Sequence, residues 1–409
     1  MSTRARVLDA LIALDRAADL GAVVARDDAA ALAAADQLDQ IDALDAGASV
    51  ASSHVLAGRT ITVKDWIDVT GLPCEGESPT RTGHVPARDA TAVARLRRAG
   101  AIVVAKTQPG ADHPQHGRCH HPLDPARSPG GSSSGEAALI GCGASRLGLG
   151  SDSGGSIRLP AAWCGAVGMK PSAGLVPTTG HRPRVGDRVD GRTVIGPIAA
   201  TVSDVATSLR LIAGPDGIDA GCAPVRIDAP SVDVRGLRGL RVAMVTGDGG
   251  WAPAASTRDA VTRAVDLLVG FGATLVDDAL PSHLDESLDI TQRYWRRAAH
   301  DPALTGVDVD RQLRDWDRFA SRLTRATAAV DVVIGPVVRD VAPLARPLAG
   351  EDYVYTLPWS LTGAPAISLP AGRDTATGMP VAVQIASSRW RDAVVIGVAA
   401  ALESALAAT

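Results

Sequence analysis

Two serine–glycine clusters and one lysine are the residues whose types and spacing could do chemistry. "GLGSDSGGSIRLPAAWCG" (Gly148–Gly165) sets Ser151, Ser153, Gly154, Gly155 and Ser156 just before an apolar run. "SPGGSSSGEAALIG" (Ser128–Gly141) sets Gly130 and Gly131 before Ser132, Ser133 and Ser134. "TVKDWIDV" carries Lys64. A serine becomes a nucleophile when a neighbouring base takes its proton. No histidine lies near either cluster at a spacing that suggests a local pair. A lysine can serve instead, because removal from water disfavours its charged form. Only three of the 41 cationic residues are lysine: Lys64, Lys106 and Lys170. Arginine keeps its proton at any working pH, so a lysine retained in this chain invites a reason. Lys64 ends a strand, from which its side chain can enter a buried pocket. Lys106 and Lys170 are read as structural.

The elements around these residues follow from pattern. Residues 1 to about 47 have helical spacing. Strands are expected at Thr60–Val63, Ala101–Ala105, Leu240–Val245, Gly272–Val276, Val332–Ile334, Ala366–Leu369 and Val381–Ile385. Helices are expected at Asp89–Ala99, Thr257–Phe271 and Asp392–Ala407. The order helix–Gly–strand occurs twice, at Gly100 and Gly272. Helices are also expected to begin near Gly135 and near Ser156. Both serine clusters then sit at helix N-termini, where free N–H groups and the helix dipole suit an oxyanion. Glycines before Ser156 let the backbone turn tightly and approach a carbonyl. Strands alternating with helices argue for an α/β fold. Residues 108–135 and 171–197 are long loops of the kind that often carry function.

These stretches resemble the signature of the amidase signature family of serine hydrolases. Its nucleophile region runs roughly G-x-D-x-G-G-S-I-R-x-P-A, and "GSDSGGSIRLPA" matches along its length. "PGGSSSGEAAL" resembles the family's glycine–serine segment, with Ser134 where many members have glycine. Ser132 precedes Ser156 by 24 positions, as in the family. "TVKD" resembles the strand-end lysine motif, and "AVGMKPSAGLVP" the segment after the nucleophile. The likeness spans the chain, through "LAGRTITVKDWIDVTGLP", "DATAVARLRRAGAIVVAKT", "LTGAPAISLPAG" and "MPVAVQIA".

The resemblance implies a fold and a mechanism. The fold would be one α/β domain over residues 1–409. It would hold a large, mixed, mostly parallel twisted sheet with helices on both faces. The signature core would cover about 50–215 and 355–409, and a substrate-shaping middle about 216–354. Ser156 would be the nucleophile, and Ser132, held at a cis peptide bond, the proton relay. Lys64, neutral at rest, would be the general base. Backbone N–H groups of Ser153, Gly154, Gly155 and Ser156 would form the oxyanion hole. Ser133, Asp152 and Arg158 would support the loop. No metal and no cofactor enters this chemistry. The substrate would be a small amide, carbamate or urea-like molecule, cleaved through an acyl-enzyme at Ser156.

Other readings compete with this one. "GSSSG" matches the α/β-hydrolase nucleophile elbow, which needs a buried strand before it. "HPLDPARSP" cannot be a central strand, because proline removes ladder hydrogen bonds. The cluster Asp112, His113, His116, Cys119, His120 and His121 has zinc-ligand chemistry, but its spacing fits no standard finger. A polar pocket rim is the simpler reading. Arg182, Arg184 and Arg188 could hold an anionic substrate group; a solvated face is the plainer account. Tyr294–Trp295, Trp316 and Tyr353–Tyr355 are candidates to line the pocket or to be core. A glutaminase subunit of a tRNA-dependent amidotransferase is the alternative function, although the middle region is short for it. An inactive binding relative is a second alternative, opposed by the intact Lys64, Ser132 and Ser156.

Bulk properties bound the rest. The chain has 409 residues, 46% hydrophobic, which is ample for a core. Aromatics are 3%, so the core must be aliphatic. The net charge of −4, with both signs dispersed, gives no footprint for nucleic acid or an acidic membrane. Cys74, Cys119, Cys142, Cys164 and Cys222 are odd in number and lack C-x-x-C spacing. A reducing, cytoplasmic setting is expected. The N-terminus lacks the pattern of a signal peptide, and no run is long and apolar enough to span a membrane. A homodimer is left open.

Overall fold

The computed structural model describes residues 1–45, 54–183, 191–225, 227, 237–276, 280, 283–298 and 301–408. Thirteen strands are found there: β1 (Val23–Ala25), β2 (Thr60–Lys64), β3 (Ile102–Thr107), β4 (Asp112–His113), β5 (Gly117–Arg118), β6 (Leu147–Asp152), β7 (Val167–Lys170), β8 (Val194–Ala199), β9 (Arg241–Met244), β10 (Thr274–Leu275), β11 (Val332–Pro336), β12 (Ala366–Arg373) and β13 (Pro380–Ala386). The helices are α1 (Thr3–Arg16), α2 (Asp28–Asp45), α3 (Thr91–Arg98), α4 (Ser134–Gly141), α5 (Arg158–Cys164), α6 (Val202–Ile212), α7 (Ala255–Gly270), α8 (Leu284–Ala298), α9 (Gly306–Thr327), α10 (Leu357–Leu361) and α11 (Asp392–Leu406). Eleven strands form one sheet in the order β1-β3-β2-β6-β8-β7-β12-β13-β11-β9-β10, and β4 and β5 pair separately.

The sheet is mixed, as expected, but its parallel pairs are segregated. β3, β2 and β6 run parallel at one side, and β11, β9 and β10 at the other. Every ladder from β6 through β8, β7, β12 and β13 to β11 is antiparallel. The expectation of a mostly parallel sheet therefore holds for the flanking blocks and needs correction at the centre. The reason is local. The helix–Gly–strand repeats signal parallel crossovers, whereas β12 and β13 join through a short turn that reverses the chain.

Those two repeats share one cap. Gly100 and Gly272 have φ of 92° and 95°, which glycine adopts without Cβ strain. Ala101 N–H reaches back to Leu96 C=O, and Ala273 N–H to Leu268 C=O, each at 3.0 Å. This is the six-to-one bond that closes a Schellman turn. Residues 1–45 do not form one helical region. Gly21, at φ 60°, ends the 3-10 turn Ala18–Leu20 that follows α1, and β1, with β-branched Val23 and Val24, pairs with β3 through Val23 and Ala25.

Strand alternation builds the two core layers. Ile61, Val63 and Val103 face one layer, with Leu96 of α3, Leu209 of α6, Leu268 of α7 and Val395 of α11. Ile102 and Val104 face the other, with Leu11 of α1, Ala35 of α2 and Leu139 of α4. Each fully buried Leu, Ile or Val contributes about 1.5–3 kcal/mol of transfer free energy. Of β2, that leaves Thr62 and Lys64 on the α4 side, where the serine clusters lie.

Candidate active site

β2 and β6 lie side by side in parallel, with Val63 opposite Leu149. Both end at the same edge, the place where open α/β sheets present ligands. Lys64 closes β2 there and is fully buried. Its ammonium Nζ is 2.6 Å from Ser132 Oγ and 3.2 Å from Ser151 Oγ. It also stands 4.1 Å from the centre of the Trp66 ring. Burial pushes the Lys64 ammonium down to about 7. The negative charges of Glu77, Asp152 and Glu136 pull the other way without restoring it.

The peptide bond between Gly131 and Ser132 is cis. Ser133 precedes α4, and its N–H donates to the Ser156 carbonyl at 3.0 Å. That bond ties the two serine segments together. A Cβ at Gly150 would stand 2.7 Å from Ser133 Oγ, so glycine in β6 lets the α4 start approach the strand. Ser132 and Ser156 each lie just outside their helix. α4 begins at Ser134, and α5 begins at Arg158, two residues later than the pattern suggested.

Asp152 and Arg158 form an ion pair with both side chains at 0% exposure. A buried pair stabilises only when the remaining donors and acceptors are matched. Here they are. The Arg158 guanidinium donates to both Asp152 oxygens, to Thr356 C=O, to Gln384 Oε1 and to Ser360 Oγ. Asp152 also accepts from Gly155 N–H at 2.8 Å and Ile157 N–H at 3.1 Å. Arg158 holds the Asp152 carboxyl below its ordinary value despite burial.

This geometry revises one expectation. Gly155 N–H already has Asp152 as its acceptor, so it is not an oxyanion donor. Its φ of 138° and the Thr356 hydroxyl where a Cβ would sit explain the glycine instead. Among the described residues no acceptor is found for the N–H groups of Ser153, Gly154 and Ser156. Gly154 is buried, and a buried backbone N–H without a partner calls for one.

A family model described as amidase matches residues 7–322 and, in a second match, 295–396. The chain belongs to the amidase signature family. It is a hydrolase of carbon–nitrogen bonds, as members of that family are. The A-type subunit of glutamyl-tRNA(Gln) amidotransferase from Nitratidesulfovibrio vulgaris (strain DP4) is 32% identical, over 90% of this chain and 87% of that protein. Its counterpart from Anaeromyxobacter sp. (strain K) is 31% identical, over 86% and 83%. Among solved structures, a bacterial aryl acylamidase superposes with a TM-score of 0.83 at 22% identity, covering 99% and 93%. Native peptide amidase from Stenotrophomonas maltophilia gives 0.80 at 25%, covering 100% and 94%. The glutamyl-tRNA(Gln) amidotransferase counterpart from Thermotoga maritima gives 0.75 at 26%, covering 87% and 85%.

Within this amidase signature fold, several residues named from sequence lie elsewhere. His113 accepts Gln115 and His116 N–H at Nδ1, and its ring packs on that of His116. His121 accepts Leu123 and Asp124 N–H at Nδ1 and faces Trp163 C=O at Nε2. Among the described residues no group of three or more His, Cys, Asp or Glu is placed to hold a metal. Arg182 is exposed, while Arg184 and Arg188 lie outside the described residues. No described helix is long and apolar enough to cross a membrane.

The aromatic clusters divide. Trp295 stands over Gly154, 3.2 Å from where its Cβ would be, and packs edge-on against Tyr353. Tyr353 donates its hydroxyl to Gly131 C=O at 3.0 Å. Tyr355 donates to Trp251 C=O, and Trp316 to Leu361 C=O at 2.6 Å, so their polar atoms are bonded to backbone away from the serine segments. Sequence reasoning gave no site role to Ser151, Trp66 or Thr356, and left Tyr353 open between pocket and core. Ser151 and Trp66 sit inside the quoted motifs, so their spacing was a usable signal. Thr356 arrives from the far end of the chain with no local mark of its own.

Proposed function

We propose that this amidase signature protein is a serine amidohydrolase that cleaves a small amide, carbamate or urea-like substrate through an acyl-enzyme at Ser156. The observation that carries the reading is the buried Lys64 ammonium, pushed down to about 7 and bonded at 2.6 Å to Ser132 Oγ. A neutral amine there can accept a proton at neutral pH. Ser156 Oγ attacks the carbonyl carbon and passes its proton to Ser132 Oγ, which gives its own to Lys64. The tetrahedral oxyanion is received by N–H groups of the Ser153–Ser156 segment other than that of Gly155, which is held by Asp152. Collapse breaks the C–N bond, and Lys64, through Ser132, protonates the leaving amine. Water then takes the place of Ser156 Oγ in the reverse sequence and releases the acid. Ser133, Asp152 and Arg158 hold the loop. In this reading the middle region, about 216–354, shapes the substrate side, supported by Trp295 of α8 over Gly154. The five free cysteines accord with a reducing, cytoplasmic setting.

A second reading has its own support. The two sequence relatives above, at 31% and 32% identity, are A-type subunits of glutamyl-tRNA(Gln) amidotransferase, which supports a glutaminase that hands ammonia to a partner bound to tRNA. Ammonia release from a panel of amides, carbamates and ureas, with glutamine included, separates the two. Turnover of a non-glutamine amide by the chain alone supports the first reading. Glutamine turnover only, and only with a co-purified partner, supports the second.

A further inference from the structure

Each peptide unit between Ser153 and Ser156 has its carbonyl held by a different group. The Gly155 carbonyl accepts Leu159 N–H at 2.8 Å, from the first turn of α5. The Gly154 carbonyl faces the Thr356 hydroxyl, and the N–H of the same unit donates to Asp152. The Ser153 carbonyl accepts the Nε–H of Arg192 at 2.7 Å. Peptide units are planar, so their C=O and N–H point in opposite directions. The contact to Ser153 therefore sets the direction of Gly154 N–H. That N–H is the buried donor for which no acceptor is found among the described residues.

Arg192 is itself built in. It is fully buried, its Nη1 reaches Thr291 Oγ1 at 3.4 Å, and its guanidinium lies 4.4 Å from the centre of the Tyr294 ring. The Trp316 ring stands 5.7 Å away on the next helix. Arg192 thus connects α8 and α9 to the segment that carries the proposed nucleophile. A charged donor on the carbonyl also polarises the peptide and strengthens its N–H as a donor.

We propose that Arg192 is a positioning residue of the oxyanion hole: its bond to the Ser153 carbonyl aims Gly154 N–H at the scissile carbonyl oxygen, anchored by Tyr294 and Thr291 of α8. This rests on Ser156 being the nucleophile. A donor set for the transition state lowers kcat when disturbed and leaves KM alone. Loss of one oxyanion donor costs about 10²–10³-fold in kcat, so misaiming one is expected to cost about 10- to 100-fold.

The test compares the parent protein with Arg192→Met, Arg192→Lys and Tyr294→Leu. Competent sites are counted by fluorophosphonate titration with peptide mapping, and kcat per titrated site and KM are measured on one amide. The expected result is a kcat loss of that size for Arg192→Met with KM within about threefold. Arg192→Lys, which keeps a charged donor, recovers part of it, and Tyr294→Leu shows a smaller loss in the same direction. Should Arg192→Met fail to fold, the other two variants carry the comparison. Unchanged kcat per titrated site, or a loss confined to KM, overturns the proposal. Absence of label from Ser156 in the parent protein overturns the reading beneath it as well.

Discussion

Lys64 at the end of β2 and Lys170 at the end of β7 are alike in burial, and burial pushes both ammonium groups down to about 7. Their surroundings differ. Lys64 faces two hydroxyls, Ser132 and Ser151, either of which can exchange a proton with it. Lys170 faces the Pro171 carbonyl at 3.0 Å, and Arg158 nearby adds to the lowering. A carbonyl has no proton to give. A depressed ammonium is thus common to both strand ends, and a proton path belongs to one. Lys106 is a third case: equally buried, it pairs with Asp65 at 3.1 Å and donates to the Ile67 carbonyl as a strut.

Substitution should separate the two strand ends. Lys64→Met removes the base while keeping an unbranched chain of similar volume. Activity is expected to fall by about 10²-fold or more, the usual scale for losing general-base catalysis. Lys64→Arg should lose as much, since guanidinium keeps its proton. Melting curves check that both variants fold. Asp152→Asn leaves Arg158 uncompensated in a dry site. A stability loss of about 3–5 kcal/mol is expected by denaturant titration, with the nucleophile segment loosened as well.

The pH dependence distinguishes the lysines further. A general base must be neutral to act, so kcat/KM should rise with pH through about 7 if Lys64 is that base. Stability carries a second signal. Between about 7 and the ordinary 10.5 an unfolded lysine holds a proton that each folded lysine lacks. Unfolding then takes up protons, and stability should rise with pH across that window. Lys170→Met should flatten this rise and leave the kinetic midpoint in place. Lys64→Met should flatten it and abolish the kinetic midpoint.

The smallest effect is expected for Lys170→Met at neutral pH. It removes one hydrogen bond to a carbonyl, worth about 1 kcal/mol of stability. Activity per folded molecule should stay within about threefold of the parent, because the exchange conserves volume. A loss comparable to that of Lys64→Met would erase the distinction between the two strand ends.

The parts of the molecule legible in sequence are those with local marks. Gly100 and Gly272 punctuate their helices because a left-handed cap needs glycine, and β2, β11 and β13 are rich in β-branched residues. The centre of the sheet was harder to read. β6 carries Gly148 and Gly150, and β8 carries Gly196 and Pro197, residues that ordinarily weaken a strand. The glycines fit because a Cβ would meet Glu136 of α4 at Gly148, Ser133 just ahead of α4 at Gly150, and the Met169 carbonyl of β7 at Gly196. The serines, Lys64 and the Asp152–Arg158 pair were visible because they cluster in short motifs. Arg192 was not, because it is one arginine among many and its role depends on α8, α9 and a carbonyl far from it in sequence. The engagement of Gly155 N–H with Asp152 is likewise a matter of direction, which spacing does not encode.

The central claim, that Ser156 is a nucleophile activated through Ser132 by a neutral Lys64, is tested most directly by fluorophosphonate labelling followed as a function of pH, with the labelled peptide mapped. The expected label is on Ser156, with a rate that rises through a midpoint near 7. In Lys64→Met the rate should be at least about 10²-fold slower and without that midpoint. Label on Ser133 or on no serine, or an unchanged pH profile in folded Lys64→Met, would contradict the account.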